Sequence, residues 1–112
     1  GSSERTSEQL VYKGLAIDND SKSVTVDGAD VTLTPTEFNI LRLLMKNIGK
    51  VYPPKEIYRE VWNDDPYGCE NTIAVHIRHI REKTEIDPSE PRYVRAIFGQ
   101  GYMIGGKNDE RK

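Results

Sequence analysis

One stretch decides how the chain is interpreted: Asn71-Thr72-Ile73-Ala74-Val75-His76-Ile77-Arg78-His79-Ile80-Arg81-Glu82-Lys83. Its isoleucines lie at positions 73, 77 and 80, a spacing that places them along one side of an α-helix. The other side is polar and basic, and no acidic residue occurs between Asn71 and Arg81, although the chain has a net charge of −2. The pattern predicts a helix over residues 70–84 that packs through its isoleucines and exposes an acid-free face.

The exposed face of this predicted helix has the chemistry that reads the major groove of DNA. Arginine pairs with guanine, asparagine pairs with adenine, and an apolar side chain contacts the thymine methyl group. An ordinary surface helix with scattered positive charges would have the same composition, so the helix alone leaves both interpretations open. If it binds DNA, the candidate contacts are Asn71, Thr72, Ala74, Val75, His76, Arg78, His79 and Arg81.

These candidates have different expected roles. Arg78 is central on the exposed face, which makes it the first choice for a base or phosphate contact; the alternative is an ion pair with Glu82 at i+4. Asn71, Thr72 and Val75 lie toward the N-terminus of the helix, the end that usually enters the groove. For Val75 the alternative is partial burial against the preceding helix.

His76, His79 and Arg81 are expected to contact phosphates, and so to position the helix without reading the base sequence. The two histidines could in principle ligate zinc, but the chain has one cysteine and no third clustered ligand. We therefore expect neither a metal nor a cofactor. The sequence also lacks a recognisable nucleophile–base pair and a phosphate-binding loop, so an enzyme is not expected.

Composition limits the class of protein. A chain of 112 residues forms one domain, and no apolar run approaches the roughly 20 residues of a membrane span. A single cysteine, Cys69, fits a reducing compartment, so we expect a cytoplasmic protein with no membrane partner. Residues 1–9 are expected to be a tag scar and linker, residues 10–106 the folded domain, and residues 107–112 a polar tail.

Short strands are predicted over residues 10–33, at 15–17, 24–26 and 31–33, with a hairpin turn at Asp27-Gly28. Thr34-Pro35-Thr36-Glu37 is a strong helix start, because Thr34 can cap the helix and Glu37 completes a capping box. This first helix is expected to end at Gly49. Its buried stripe is expected to comprise Phe38, Leu41, Met45 and Ile48.

Pro53-Pro54 introduces a second helix, predicted over residues 55–62, with its inward side chains expected to be Ile57, Tyr58, Val61 and Trp62. A turn-rich loop at 63–69 precedes the predicted helix over residues 70–84. Strands at 93–98 and 102–104 then surround Gly99-Gln100-Gly101, which predicts a hairpin. The order predicts an α+β fold, a winged helix-turn-helix with an N-terminal antiparallel sheet, three helices and a C-terminal β-hairpin wing.

The combination resembles the DNA-binding effector domains of OmpR/PhoB-type bacterial response regulators. The resemblance covers about residues 10–105. It rests on Leu33-Thr34-Pro35-Thr36-Glu37-Phe38 with Leu41–Leu44, Glu56-Ile57 to Val61-Trp62, Val75–Lys83, and Val94-Arg95-Ala96-Ile97 with Gly99-Gln100-Gly101-Tyr102. Within the family, the run Val75–Lys83 looks most like the VanR-type regulators. The resemblance implies that helix 70–84 recognises double-stranded DNA and that the domain controls transcription in a two-component system.

Further expectations follow from the resemblance alone. Loop 63–69 would contact RNA polymerase, with Asp64, Asp65 and Tyr67 as candidates. A receiver domain would precede residue 10 in the full protein. Family members typically bind tandem direct repeats as head-to-tail dimers, and the isolated domain is expected to be a monomer.

Two positions depart from the family pattern. Phe98 stands where the wing strand often has an arginine, so Arg95 or Gln100 is expected to supply the wing contact. Pro53 stands where a capping serine is common. A winged helix can also serve as a protein-docking module without DNA contact. An acidic or apolar outer face would have favoured that alternative, and the acid-free face favours DNA.

Overall fold

The computed structural model describes residues 9–64, 68, 70–85, 93–97 and 99–105. Four strands come first, followed by three helices and a final pair of strands, so the predicted winged helix-turn-helix is confirmed. The elements are β1 (Gln9–Tyr12), β2 (Leu15–Asp18), β3 (Ser23–Val26), β4 (Ala29–Val31), α1 (Pro35–Lys46), α2 (Pro54–Trp62), α3 (Glu70–Thr84), β5 (Val94–Ile97) and β6 (Gly101–Ile104). The expected tag scar, most of the linker and the polar tail lie outside the described residues. No helix in the described part of the chain is both long enough and apolar enough to cross a bilayer.

The N-terminal sheet is antiparallel throughout, in the order β1-β2-β3-β4. The predicted turn at Asp27-Gly28 is correct, because both residues have positive φ (53° and 86°), as a two-residue hairpin turn requires. The last strand was predicted at 31–33 but spans Ala29–Val31. Because the turn has only two residues, Val26 pairs directly with Ala29, and β4 therefore begins two residues earlier in the sequence than predicted.

Helix α1 begins as predicted and ends earlier. The Glu37 N–H donates to Thr34 Oγ1 (3.2 Å), and the Thr34 N–H donates to Glu37 Oε1 (3.1 Å), which completes the capping box. The helix ends at Lys46, so the expected end at Gly49 was wrong. The Gly49 N–H instead donates to the Ile104 carbonyl (3.0 Å), which ties the following turn to β6 and leaves Ile48 43% exposed rather than in the buried stripe.

Helix α2 begins one residue earlier than predicted, at Pro54. Proline has no side-chain acceptor, so the Pro53 carbonyl alone starts the helix by accepting from the N–H groups of Glu56 and Ile57, both at 3.0 Å. Four inward side chains were predicted. Ile57 is fully buried, whereas the other three are partly buried against the core because this short helix lies at the surface: Tyr58, Val61 and Trp62.

The core connects the N-terminal sheet and the hairpin to all three helices. The isoleucines of α3 at positions 73, 77 and 80 are at most 1% exposed, as their spacing predicted. The remaining buried members are Leu15, Ile17, Val24, Phe38, Ile40, Leu41, Leu44, Met45, Tyr52, Ile57, Tyr93, Val94 and Ile104. Helix α3 is therefore fixed in rotation about its own axis, which determines the side chains that face outward.

The C-terminal hairpin is attached to the segment that precedes α2. Tyr52 and Tyr102 exchange backbone hydrogen bonds of 2.8 and 2.9 Å in an isolated antiparallel bridge. Gly101 (φ 152°) passes so close that a Cβ atom there would overlap the Tyr52 carbonyl. The strands were predicted at 93–98 and 102–104; they span Val94–Ile97 and Gly101–Ile104, and Phe98 lies outside the described residues.

Candidate nucleic-acid interface

Helix α3 divides the predicted contact residues into an exposed face and two flanks. We call Asn71, Ala74, Val75 and Arg78 the outer face, since all four are exposed. Val75 is 49% exposed, so burial against α2 does not apply to it. The burial of the three isoleucines on the opposite side holds these side chains outward. The outer face thus combines an amide, two small apolar groups and a guanidinium.

Arg78 has one contact on the helix itself. Its Nε lies 3.4 Å from Glu82 Oε2, and the Arg78 side chain is 78% exposed. The i+4 pair considered from the sequence is therefore present. An ion pair this exposed contributes only about 0–1 kcal/mol, because water and salt screen it. The guanidinium can leave Glu82 for a stronger acceptor at little cost.

On one flank, His76 is held against α2. Its Nδ1 lies 2.8 Å from the Thr72 carbonyl, and its ring meets Trp62 edge-on at 5.4 Å. Trp62 in turn stacks on Tyr58 at 4.7 Å. A carbonyl only accepts, so Nδ1 carries the proton, and Nε2 of the neutral ring is an acceptor. His76 can donate to a phosphate through Nε2 only when the ring is protonated.

Further along the same flank, α3 is tied to α1 through Glu37, whose side chain is 3% exposed. Lys83 Nζ lies 2.7 Å from Glu37 Oε1, and His79 Nδ1 lies 3.6 Å from Glu37 Oε2. Burial by itself raises the pKa of Glu37. The hydrogen bonds from Lys83 and Thr34, with the charges of Lys83 and His79, outweigh burial and lower the pKa below its ordinary value.

On the other flank, α3 is tied to the wing. Arg81 Nε donates to the Val94 carbonyl (3.2 Å). Just beyond the helix, the buried carboxylate of Glu85 accepts from the N–H groups of Tyr93 (2.8 Å) and Val94 (3.0 Å). The end of α3 and the start of β5 therefore hold each other in place.

The sequence did not reveal the roles of Glu37, Lys83 and Glu85 in positioning α3. Glu37 was recognisable as a capping residue, but Lys83 lies 46 positions away in sequence, and no local pattern links them. Glu85 follows the predicted helix end, and its two backbone donors belong to the next strand. These contacts appear only when the fold is known.

The two predicted wing contacts lie in different settings. Gln100 is exposed at the hairpin turn, where its N–H donates to the Ile97 carbonyl (2.9 Å). Arg95 is partly buried on β5 and has polar or electrostatic contacts within the protein. A cavity of about 330 Å³ separates the hairpin from Pro54 at the start of α2. The wing and α2 thus border one concave surface.

The two remaining predictions concern the 63–69 loop and a metal site. Asp64 is exposed just after α2, and Asp65 and Tyr67 of the proposed polymerase loop lie outside the described residues. Within the described ranges, no group of three or more histidine, cysteine, aspartate or glutamate side chains is arranged to hold a metal ion.

Comparison with known proteins agrees with this architecture. The family model described as transcriptional regulatory protein, C terminal, matches residues 28–104. The chain is 45% identical over 91 residues to the transcriptional regulatory protein YcbL of Bacillus subtilis, covering 81% of the chain and 40% of YcbL. It is 37% identical over 105 residues to the regulatory protein VanR of Enterococcus faecium, covering 93% of the chain and 46% of VanR. The chain therefore spans less than half the length of these two relatives.

A solved structure gives the same family. The response regulator DrrB, an OmpR/PhoB homologue from Thermotoga maritima, is 31% identical with a TM-score of 0.78, over 93% of this chain and 47% of DrrB. The resemblance inferred from the sequence is confirmed. The chain belongs to the transcriptional regulatory protein C-terminal family and is an OmpR/PhoB-type DNA-binding effector domain.

Proposed function

We propose that this domain binds double-stranded DNA sequence-specifically by inserting the outer face of α3 into the major groove, and that it does so as the effector domain of a two-component transcriptional regulator. The observation that carries the proposal is the division of α3. Its isoleucines are buried, and its flanks are bonded to α1 and β5 and contact α2 through the His76 and Trp62 rings, while the outer face is exposed. An α-helix presented in this way fits the width of the major groove.

Each residue of the outer face has a matching group on DNA. Arg78 exchanges Glu82 for a guanine, Asn71 pairs with adenine, and Val75 contacts a thymine methyl group, with Ala74 allowing close approach. A bidentate pair with the correct base contributes about 1–3 kcal/mol of discrimination. Arg78 and Asn71 therefore carry most of the sequence preference.

The remaining candidates anchor the domain to the DNA backbone. Thr72, His76, His79 and Arg81 on α3, with Arg95 and Gln100 on the wing, are assigned to phosphate or minor-groove contacts. His76 donates through Nε2 once its ring is protonated, and Arg81 retains its Nη groups for phosphate while Nε holds Val94. These contacts orient α3 and contribute to affinity more than to specificity.

The wider setting is proposed from the family. The full protein would carry a receiver domain and act on the bacterial chromosome, hence in the cytoplasm. Two domains would occupy tandem direct repeats head to tail, although one domain alone is a monomer. Asp64, Asp65 and Tyr67 would contact RNA polymerase. The support is that the relatives are named as transcriptional regulators and are more than twice as long as the matched segment.

Binding to a duplex enriched from a random pool tests the proposal. Arg78→Ala should lower affinity about tenfold or more, because a base or phosphate contact is lost. Its matched control is Arg42→Ala, which removes the same charge from α1 and should bind like the parent. Affinity of the parent should fall steeply with salt, since several neutralised phosphates release counterions. Circular dichroism verifies that both variants are folded.

Two results would contradict the proposal. One is an Arg78→Ala variant that binds the enriched duplex as tightly as the parent. The other is an affinity that hardly changes with salt, which would favour the protein-docking alternative for this winged helix.

A further inference from the structure

A cleft of about 210 Å³ lies between α1 and α2, apart from the DNA-reading helix. Its described lining consists of Asn39, Arg42, Leu43, Lys46, Glu60 and Val61, all of which belong to those two helices. Arg42 and Lys46 are one turn apart on α1, and Glu60 stands across on α2. The cleft has two positive charges and one negative charge, in a chain whose net charge is −2.

The Arg42 side chain has an unmet hydrogen-bonding requirement. Its Nε is buried and has no hydrogen-bond partner among the described residues. A buried donor without an acceptor is unfavourable. The Nε–H and one Nη–H of a guanidinium form a fork that matches the two oxygens of a carboxylate. One carboxylate would satisfy both donors if the Arg42 side chain turned this fork into the cleft that it lines.

We propose that this cleft is a docking site for an acidic side chain of a partner protein, held by Arg42 and Lys46. The net charge of +1 from these two residues and Glu60 complements a singly charged carboxylate. The described lining includes no residue of α3 or the wing, so the cleft is separate from the side chains assigned to DNA.

The position of the cleft favours a protein partner. Glu60 and Val61 are in the last turn of α2, immediately before the 63–69 segment. That segment is the proposed polymerase contact, so a protein docked there would also reach the cleft. The carboxylate site itself does not depend on that contact or on DNA binding.

Titration with a blocked triglutamate peptide, followed by NMR at the Arg42 Nε–Hε resonance, tests the proposal. We expect a saturable shift in the millimolar range. Arg42→Gln should weaken binding about tenfold, as measured by backbone shifts around the cleft, because the charged fork is lost. Glu60→Gln should instead strengthen binding several-fold by removing the repelling charge. Glu56→Gln on the same helix lies outside the cleft and should bind like the parent.

Parallel titrations identify the ligand class. Inorganic phosphate binding as tightly as the peptide would overturn the proposal in favour of a general anion site. A shift of Arg42 Nε–Hε on adding enriched duplex DNA would overturn it in favour of a DNA contact. No saturable shift with the peptide, or equal binding by parent and Glu60→Gln, would also overturn it. DNA affinity should be unchanged in Arg42→Gln, so this test and that of the DNA proposal can fail separately.

Discussion

The outer face of α3 and its flanks differ in how much of their bonding capacity the protein itself uses. Lys83, His79 and Arg81 on the flanks lie against acceptors on α1 and β5. On the outer face, Arg78 has only an exposed pair with Glu82. Side chains that are bonded within the domain hold α3 in place, and side chains that face solvent remain available to a ligand. The same helix therefore contains both the support and the reading surface.

This difference predicts how substitutions should separate. Changes on the inner side and flanks should act first on folding stability, because they remove buried contacts. Changes on the outer face should act on DNA binding and leave stability almost unchanged. An outer-face substitution that strongly lowered folding stability, or an inner-side substitution that lowered DNA affinity without lowering stability, would show that α3 is not organised as described.

The largest effect is expected on the inner side. Ile77→Ala should lower the free energy of unfolding by about 3 kcal/mol, because a buried side chain is replaced by a cavity. Val75→Ala on the outer face is the matched control and should change it by no more than about 0.5 kcal/mol. Urea denaturation monitored by circular dichroism measures both. If the two variants lost similar amounts of unfolding free energy, the inner side and the outer face of α3 would not differ as described.

A smaller effect is expected at the α1–α3 contact, and it should depend on pH. Glu37→Gln should cost about 2 kcal/mol at neutral pH, because the ion pair with Lys83 loses its negative charge. The pKa of Glu37 is lowered from its ordinary value of 4.5, so the unfolded chain takes up the proton first as pH falls. The stabilisation is therefore complete above pH 4.5 and is lost as pH falls through the lowered pKa.

Urea denaturation at a series of pH values follows this loss. The difference in unfolding free energy between parent and Glu37→Gln should be largest near neutral pH and shrink in acid. A difference that stays constant from pH 7 down through the lowered pKa would mean that the Glu37 charge does not stabilise the α1–α3 contact.

The smallest effect is expected at the wing flank. Arg81→Ala should lower the unfolding free energy by about 1 kcal/mol, because the bond from Nε to the Val94 carbonyl is lost. DNA affinity should fall similarly for all sequences, since Arg81 is assigned to phosphate. Denaturation and binding to two unrelated duplexes measure the two effects. A loss confined to one duplex would place Arg81 among the base-reading residues.

The sequence predicted most of the fold because its signals are local. The spacing of Ile73, Ile77 and Ile80 placed α3 and its buried side correctly. The turn at Asp27-Gly28 was also predicted correctly, although the strand that follows it begins two residues earlier than expected. The end of α1 was missed for a different reason. The helix is already capped at Asn47, and Gly49 bonds instead to Ile104, a contact between residues so far apart in sequence that it leaves no periodic pattern.

The candidate site divides in the same way. Periodicity indicated which residues of α3 face away from the core, and Asn71, Val75 and Arg78 are exposed accordingly. It did not show that His76, His79 and Arg81 have partners on Thr72, Glu37 and Val94. The partners of His79 and Arg81 were not predictable from spacing, because Glu37 and Val94 belong to other elements of the fold.

Enrichment of duplex DNA from a random pool, with sequencing of the bound fraction, tests the central claim most directly. The parent domain, Arg78→Ala and Arg81→Ala would be compared at equal occupancy. We predict that Arg78→Ala loses the preference at one base position of each half-site, whereas Arg81→Ala enriches the same motif as the parent with lower affinity. If Arg78→Ala enriches the parental motif with undiminished preference at every position, the outer face of α3 does not read the DNA sequence.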